Sequence, residues 1–210
     1  MGCTAQGIAD ALRAAAGVIG RHRVELIDLD RAIGDGDHGE NMNRGFAAIV
    51  SALDSKVPEN PGAVLKLAAT TLISKVGGAA GPLYGTGFLR AATATGTMSE
   101  VDTSGVVAAL RAALEGVQAR GKAVAGDKTM VDALLPAVAA AEAAAGSPGA
   151  DVAAVLRAAA DAAAKGAEST VDLVARKGRA SYLGQRSAGH LDPGARSTAL
   201  ILDALAQEAR

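Results

Sequence analysis

Residues 28–46, DLDRAIGDGDHGENMNRGF, crowd Asp28, Asp30, Asp35, Asp37 and Glu40 around Gly34, Gly36 and Gly39. Like charges repel, and glycine loses more backbone freedom on ordering than any other residue. Something must compensate, and a cluster of hard oxygen donors suits Mg²⁺ or Mn²⁺. Divalent ions held here would turn acids that repel a polyphosphate into its anchor. With several carboxylates available, there is room for two ions about 3.5–4 Å apart. The competing reading is that these residues only cap a helix and shape a turn, as Asp, Asn and Gly commonly do. His38 lies among the acids, where it could touch a phosphate or serve structure alone.

Other signatures in the chain fail on context. Residues 34–39, GDGDHG, match the G-x-G-x-x-G spacing, but that fingerprint must follow a strand, and here a helix precedes it. Residues 116–123, GVQARGKA, approach phosphate-loop spacing but end in Ala. An EF-hand would need a bidentate Glu where Phe46 or Asn41 stands. No nucleophile is paired with a base, so a covalent intermediate on this chain is not expected.

The elements that position these residues are helical. Apolar residues recur with the helical period almost throughout, and no run of alternating β-branched residues appears. The pattern predicts helices over 4–32, 43–55, 61–76, 83–95, 103–120, 130–145, 150–176 and 195–209 in a single domain, 1–210. Pro61 and Pro82 mark starts, and Gly96, Gly121 and Gly146 mark stops. In an antiparallel up-and-down arrangement with short loops, every odd connection lies at the same end. The odd connections are IGDGDHGENMN, VGGAAGP, RGKAVAGDKTM and KGRASYLGQRSAGHLDPGA, the glycine-rich and charged ones. Four unusual loops should therefore converge on one rim.

Each loop offers a part. VGGAAGP presents backbone N–H groups at a helix start, a natural anion seat. The last loop and its exit carry Arg176, Lys177, Arg179, Arg186 and Arg196, which could neutralise phosphate. Lys122 and Lys128 are expected to be solvated. Met130 could be core or an adaptable lid over an adenine ring. His22 is expected to be unremarkable, and His190 to order its loop.

Composition narrows the function class. The 210 residues carry a net charge of −1; 50% are apolar, much of it alanine, and 2% are aromatic with no Trp. Neither a basic excess nor a stacking platform is present, which argues against nucleic acid. Cys3 is the only cysteine, which excludes an intrachain disulfide and fits a reducing compartment. The N-terminus has no secretory pattern, and Gln6 stands where a myristoylation signal wants Ser or Thr. No uncharged apolar run approaches the ~18 residues of a membrane span. A cytoplasmic protein off the membrane is expected.

IGDGDHGENMNRGF, VGGAAGPLYGT, RGKAVAGDKTMVDAL and ARKGRASYLGQRSAGHLDPGA resemble, in order and spacing, the nucleotide-binding L subunit of bacterial dihydroxyacetone kinases. The similarity runs essentially end to end. It implies an all-α fold, an eight-helix antiparallel barrel with ADP or ATP capping one end. It also implies two Mg²⁺ held by Asp30, Asp35 and Asp37. Phosphate and ribose contacts carry over to His38, Gly39, Glu40, Asn41, Ala79 and Ala80. Adenine and sugar contacts carry over to Gly121 and Met130. Arg179 and the turn Asp192, Pro193, Gly194 close the site, and Asp28 stays outside the metal set. Ala80 departs from a usual Ser, and Gln185 from a usual Glu. The sugar would be held on a separate K subunit, so this chain would be half of a kinase that transfers a phosphoryl group to dihydroxyacetone. The resemblance further implies ADP as a bound cofactor rephosphorylated by a phosphotransferase-system protein. Two other roles go with it: the L part of an ATP-dependent triose or tetrose kinase, and a nucleotide-state sensor acting on a transcription regulator.

Overall fold

A computed structural model describes residues 2–209. Nine α-helices dominate: α1 (Ala5–Arg21), α2 (Arg23–Ile33), α3 (His38–Ser55), α4 (Pro61–Lys75), α5 (Ala80–Thr95), α6 (Thr103–Gly121), α7 (Val131–Ala145), α8 (Val152–Glu168) and α9 (Pro193–Glu208). A 3-10 segment spans Arg179–Ser187, and two short strands, β1 (Cys3–Thr4) and β2 (Glu100–Val101), pair antiparallel. The all-α expectation holds. Side-chain oxygens open five of the helices: Thr4, Asn60, Asp102, Asp151 and Asp192 each accept the N–H three residues on.

Several boundaries differ from the sequence reading, each for a local reason. The helix expected over 4–32 breaks at His22, whose backbone (φ −94°, ψ 8°) leaves helical geometry while its ring meets Glu25 at 2.5 Å. The helix expected over 150–176 stops at Glu168. Beyond it, the Ser169 and Thr170 hydroxyls bond back to the carbonyls of Gly166 and Ala167, satisfying the helix end with side chains. The helices expected from 43 and 83 begin earlier, at His38 and Ala80. Glycines that read as loop there lie in helical first turns, where neighbouring backbones come close.

Sequential helices pack on one another from α3 to α9. Helix α1 contacts both α3 and α9, so the order of neighbours closes on itself, and α2 lies against α3 and α9. Small residues set the spacing. Gly166 of α8 faces α7 so closely that a Cβ there would meet Pro136 Cγ at 2.7 Å and overlap the carbonyl of Asp132. Leu12, Ile19, Phe46, Ile49, Leu72 and Val131 are fully buried around this frame. Inside it lies an apolar cavity of about 370 Å³, with Ile8, Phe88, Leu110 and Ile201 among its walls. Cys3 and Val101, opposed across the β1–β2 pair, line the same cavity. Among the described residues, no helix is long and apolar enough to cross a membrane.

Gly166→Ala should force α7 and α8 apart and cost about 1–3 kcal/mol, the usual range for overpacking. A urea midpoint lowered without a change in slope is the expected reading.

Candidate functional site

The four odd connections do meet. A cleft of about 420 Å³ is lined by Asp30, Ile33–Asp35, Asp37 and His38 from the first, Gly77–Ala80 from the second, Gly121 and Lys128–Met130 from the third, and Lys177–Arg179 with Asp192–Gly194 from the fourth. Within it, one carboxylate oxygen each of Asp30, Asp35 and Asp37 lie within 4.8 Å of one another. That donor set is all hard oxygen and fits Mg²⁺.

Asp30 organises the group. One of its oxygens accepts the N–H of Asp37 at 2.9 Å and of His38 at 3.1 Å, so the last turn of α2 caps the start of α3. Only 9% of the residue is exposed. Burial raises its carboxyl pKa, the two backbone donors pull it down, and the charges of Asp35 and Asp37 raise it again. Asp35 and Asp37 are exposed, and the Arg179 guanidinium, itself exposed, meets Asp35 at 2.9 Å. The arginine predicted to close the site thus faces the predicted metal ligands across the cleft.

His38 lines the cleft and is also tied into the structure behind it. Its Nε2 lies 2.8 Å from Ser197 Oγ, in a buried network with Tyr84. The Tyr84 hydroxyl reaches Ser197 at 2.7 Å and Thr198 at 2.8 Å, and donates to the Gly194 carbonyl at 3.0 Å. Burial holds the His38 pKa down at about 4, so the ring is neutral near pH 7. Burial likewise pushes the tyrosine hydroxyl well above its usual range. Tyr84, Val117 and Met130 line both the cleft and the interior cavity, forming the floor between them.

Ala79 and Ala80 lie at the start of α5, where no side chain caps the free N–H groups. This is the anion seat that VGGAAGP suggested. Asp192 caps α9 by accepting Ala195 N–H at 2.7 Å, and burial raises its pKa to about 7. Pro193, Gly194, Gly121 and Met130 stand in the cleft wall as expected.

Three expected contacts do not line the cleft. Gly39 is pressed onto α2, where a Cβ would overlap the Arg23 carbonyl and come within 2.8 Å of Ile27 Cγ1. Glu40 pairs with Arg23, and the Asn41 side chain accepts from Arg44. Two or three residues into the helix, the 3.6-residue period has turned Glu40 toward α2 and the buried Asn41 side chain toward Arg44 and the Gly77 backbone. Their backbone N–H groups remain part of the α3 first turn.

Lys128 reverses its expectation. It is 1% exposed, and its ammonium donates to the carbonyls of Thr170 at 2.5 Å, Val171 at 3.4 Å, and His190. Lys122 is exposed as expected and ends α6 in the left-handed conformation (φ 54°). Of the basic run, Lys177 and Arg179 line the cleft, while Arg196 is engaged by Glu25 at 2.6 Å. The residues missed from sequence are Tyr84, Ser197 and Thr198. Their signal was faint: hydroxyl side chains in two otherwise apolar helices.

His38 and Asp192 have opposite linkage to pH. An unfolded histidine binds its proton below about 6.5 and the folded one only below about 4, so this group makes stability fall as pH drops through that window. Asp192 is protonated more readily folded than unfolded, so its contribution is present below 3.8 and is lost as pH rises through about 7. Raised Asp30 acts with the sign of Asp192. In metal-free protein the two main contributions should nearly cancel between pH 4 and 6.5. His38→Gln should leave stability falling as pH rises toward 7. Asp192→Asn, which keeps a capping oxygen, should leave it falling as pH drops below 6.5. Each limb has a slope of at most about 1.4 kcal/mol per pH unit, read from urea midpoints.

The DAK2 domain family matches residues 32–207. The chain is 45% identical over 185 residues to the ADP-binding subunit DhaL of the PEP-dependent dihydroxyacetone kinase of Escherichia coli K12, covering 88% of each chain. It is 46% identical over 182 residues to the corresponding subunit of kinase 1 of Listeria innocua, covering 87% of this chain and 85% of that one. The dihydroxyacetone kinase of C. freundii in complex with AMP-PNP and Mg²⁺ superposes with a TM-score of 0.73 at 29% identity over 95% of this chain. The chain spans only a third of that solved protein (33%). The matches run over nearly the whole length, and the chain belongs to the DAK2 domain family, among the ADP-binding subunits of dihydroxyacetone kinases.

Proposed function

We propose that this chain is the nucleotide-binding L subunit of a dihydroxyacetone kinase, presenting a phosphoryl group to a sugar held on a separate K subunit. One observation carries the reading. Three carboxylates, an uncapped helix N-terminus and an arginine face one another across a single cleft at the end of the helix ring. This is the complement of a metal-bound nucleoside diphosphate or triphosphate.

In this reading Asp30, Asp35 and Asp37 hold two Mg²⁺. Mg²⁺ held there would supply positive charge against the phosphates. The chain's own groups do the positioning. The Asp37 and His38 N–H groups fix the Asp30 carboxylate, so its free oxygen points into the cleft without reorganising. N–H groups at the start of α5 receive phosphate oxygens, and Ala80 offers only its backbone. Arg179 leaves Asp35 for the transferred group and stabilises charge developing on it. Buried, neutral His38 supports this wall through Ser197 and is not a proton donor. We assign the base for the sugar hydroxyl to the K subunit, which holds the sugar.

The phosphoryl source follows from the kinship. The relatives that match along most of their length are named as PEP-dependent or PTS-dependent. Those named triokinase/FMN cyclase match over 30% of theirs. We therefore favour ADP retained as a cofactor and rephosphorylated in place by a phosphotransferase-system protein, in the cytoplasm. The rim that receives the K subunit is also the surface a transcription regulator would read.

Asp35→Asn or Asp37→Asn should abolish transfer to dihydroxyacetone, assayed with the K subunit, while far-UV circular dichroism stays unchanged. Full activity in either variant would rule out the metal assignment. Labelled ADP should remain on the wild-type protein for hours in excess Mg²⁺ and ATP. Exchange within seconds would make ATP a substrate and turn the search to an ATP-using kinase.

A further inference from the structure

Between the end of α8 and the start of α9, residues 169–192 form a long excursion that delivers Lys177, Gly178 and Arg179 to the cleft. It has little core of its own: Ser187 is its one fully buried residue in the 3-10 segment, and Tyr182 is 88% exposed. Midway, Arg176 N–H donates to the Asp127 carbonyl at 3.1 Å and Ala175 N–H to Ser187 Oγ at 2.8 Å, and a further set of bonds fastens its base. Lys128 donates to Thr170 and Val171 at the entry and to His190 at the exit. Beside it, Asp192 N–H donates to Thr170 Oγ1 at 3.0 Å, and Gly189 N–H to the Val171 carbonyl at 2.8 Å.

Lys128 is itself set for this task. Its backbone adopts φ 60°, unusual for a residue with a side chain. Two flanking carboxylates build the turn around it: Asp127 accepts Val124 N–H at 2.9 Å, and Asp132 accepts those of Gly126 and Thr129 at 2.6 and 2.8 Å. An ammonium has three donors, and here three carbonyls of the excursion take them. A lysine on a nucleotide cleft would ordinarily be assigned to phosphate; this one has no donor left for it.

We propose that Lys128 is a positioning residue that sets nucleotide affinity by clasping the two ends of residues 169–192, so that Arg179 stands opposite the carboxylates. The proposal rests on the nucleotide reading above. It acts through Arg179 and not through contact with the ligand.

The test compares wild type, Lys128→Met, Arg179→Ala and the double variant. Amide hydrogen exchange is followed on protein free of metal and nucleotide, and Mg·ADP affinity by calorimetry. In Lys128→Met, exchange across residues 170–191 should quicken by about tenfold or more, with α1 and α4–α7 unchanged. Its Kd should rise by about tenfold or more, as for loss of a charged hydrogen-bonded anchor. The double variant should bind no worse than Arg179→Ala alone. Unchanged affinity, losses that multiply, or exchange quickened throughout the chain would each overturn the proposal. If Lys128→Met does not fold, Thr170→Ala removes a bond from the same clasp. It must give the same loop-confined exchange and no added loss over Arg179→Ala; a multiplying loss overturns the idea. Failure of the wild type to bind Mg·ADP would overturn the nucleotide reading instead. Exchange then decides the clasp, which falls if residues 170–191 stay protected in Lys128→Met.

Discussion

The Asp30 carboxylate, accepting the N–H groups of Asp37 and His38, is the contact on which the rest of the site depends. It joins the last turn of α2 to the first turn of α3 across a glycine-rich loop. With the Arg179 guanidinium on Asp35, it offsets the mutual repulsion of three carboxylates within 4.8 Å. With it, one acid is turned inward and partly neutralised by backbone dipoles, while Asp35 and Asp37 face the cleft. The loop is therefore shaped before any cation arrives, and binding need not order it first.

The opposite wall follows a similar plan with different chemistry. Tyr84, Ser197, Thr198 and His38 form a closed set of buried polar groups that fasten α5, α9 and the start of α3 together. Every member has a partner, which is the condition for a polar network to be tolerated beneath a cleft. The same tyrosine, with Val117 and Met130, separates the polar rim from the apolar interior. The rim carries the charge and the interior carries the packing, so each is free of the other's constraints. Close helix contact makes this possible: residues such as Gly166 and Gly39 let backbones approach until no side chain fits between them.

Much of this was legible in the sequence because it was encoded locally. The acidic cluster, the proline and glycine punctuation, and the alternation of plain and unusual loops are all short-range patterns. Counting helices was enough to place the unusual loops at one end. The helix breaks were less legible. The turn at His22 and the stop at Glu168 depend on side chains bonding to nearby backbone, and the residues that do so are compatible with helix interiors too. Glycine misled in one direction, reading as loop at 39 and 81 where it serves close packing inside helices.

By itself, then, the sequence determined the helical class and the convergence of four loops, because periodicity and composition act over a few residues. The choice of Asp30, Asp35 and Asp37 among the acids came with the family resemblance. Only the tertiary structure decided what each polar side chain does. Glu40 and Asn41 leave the cleft because the helical period turns them to Arg23 and Arg44. His38 is held neutral by burial, with its ring bonded to a serine far along the chain, at position 197. Lys128, which composition alone would put in water, is buried because three carbonyls from another loop gather around its ammonium. Such partners are distant in sequence, and a charged group's role is set by the partners the fold brings to it.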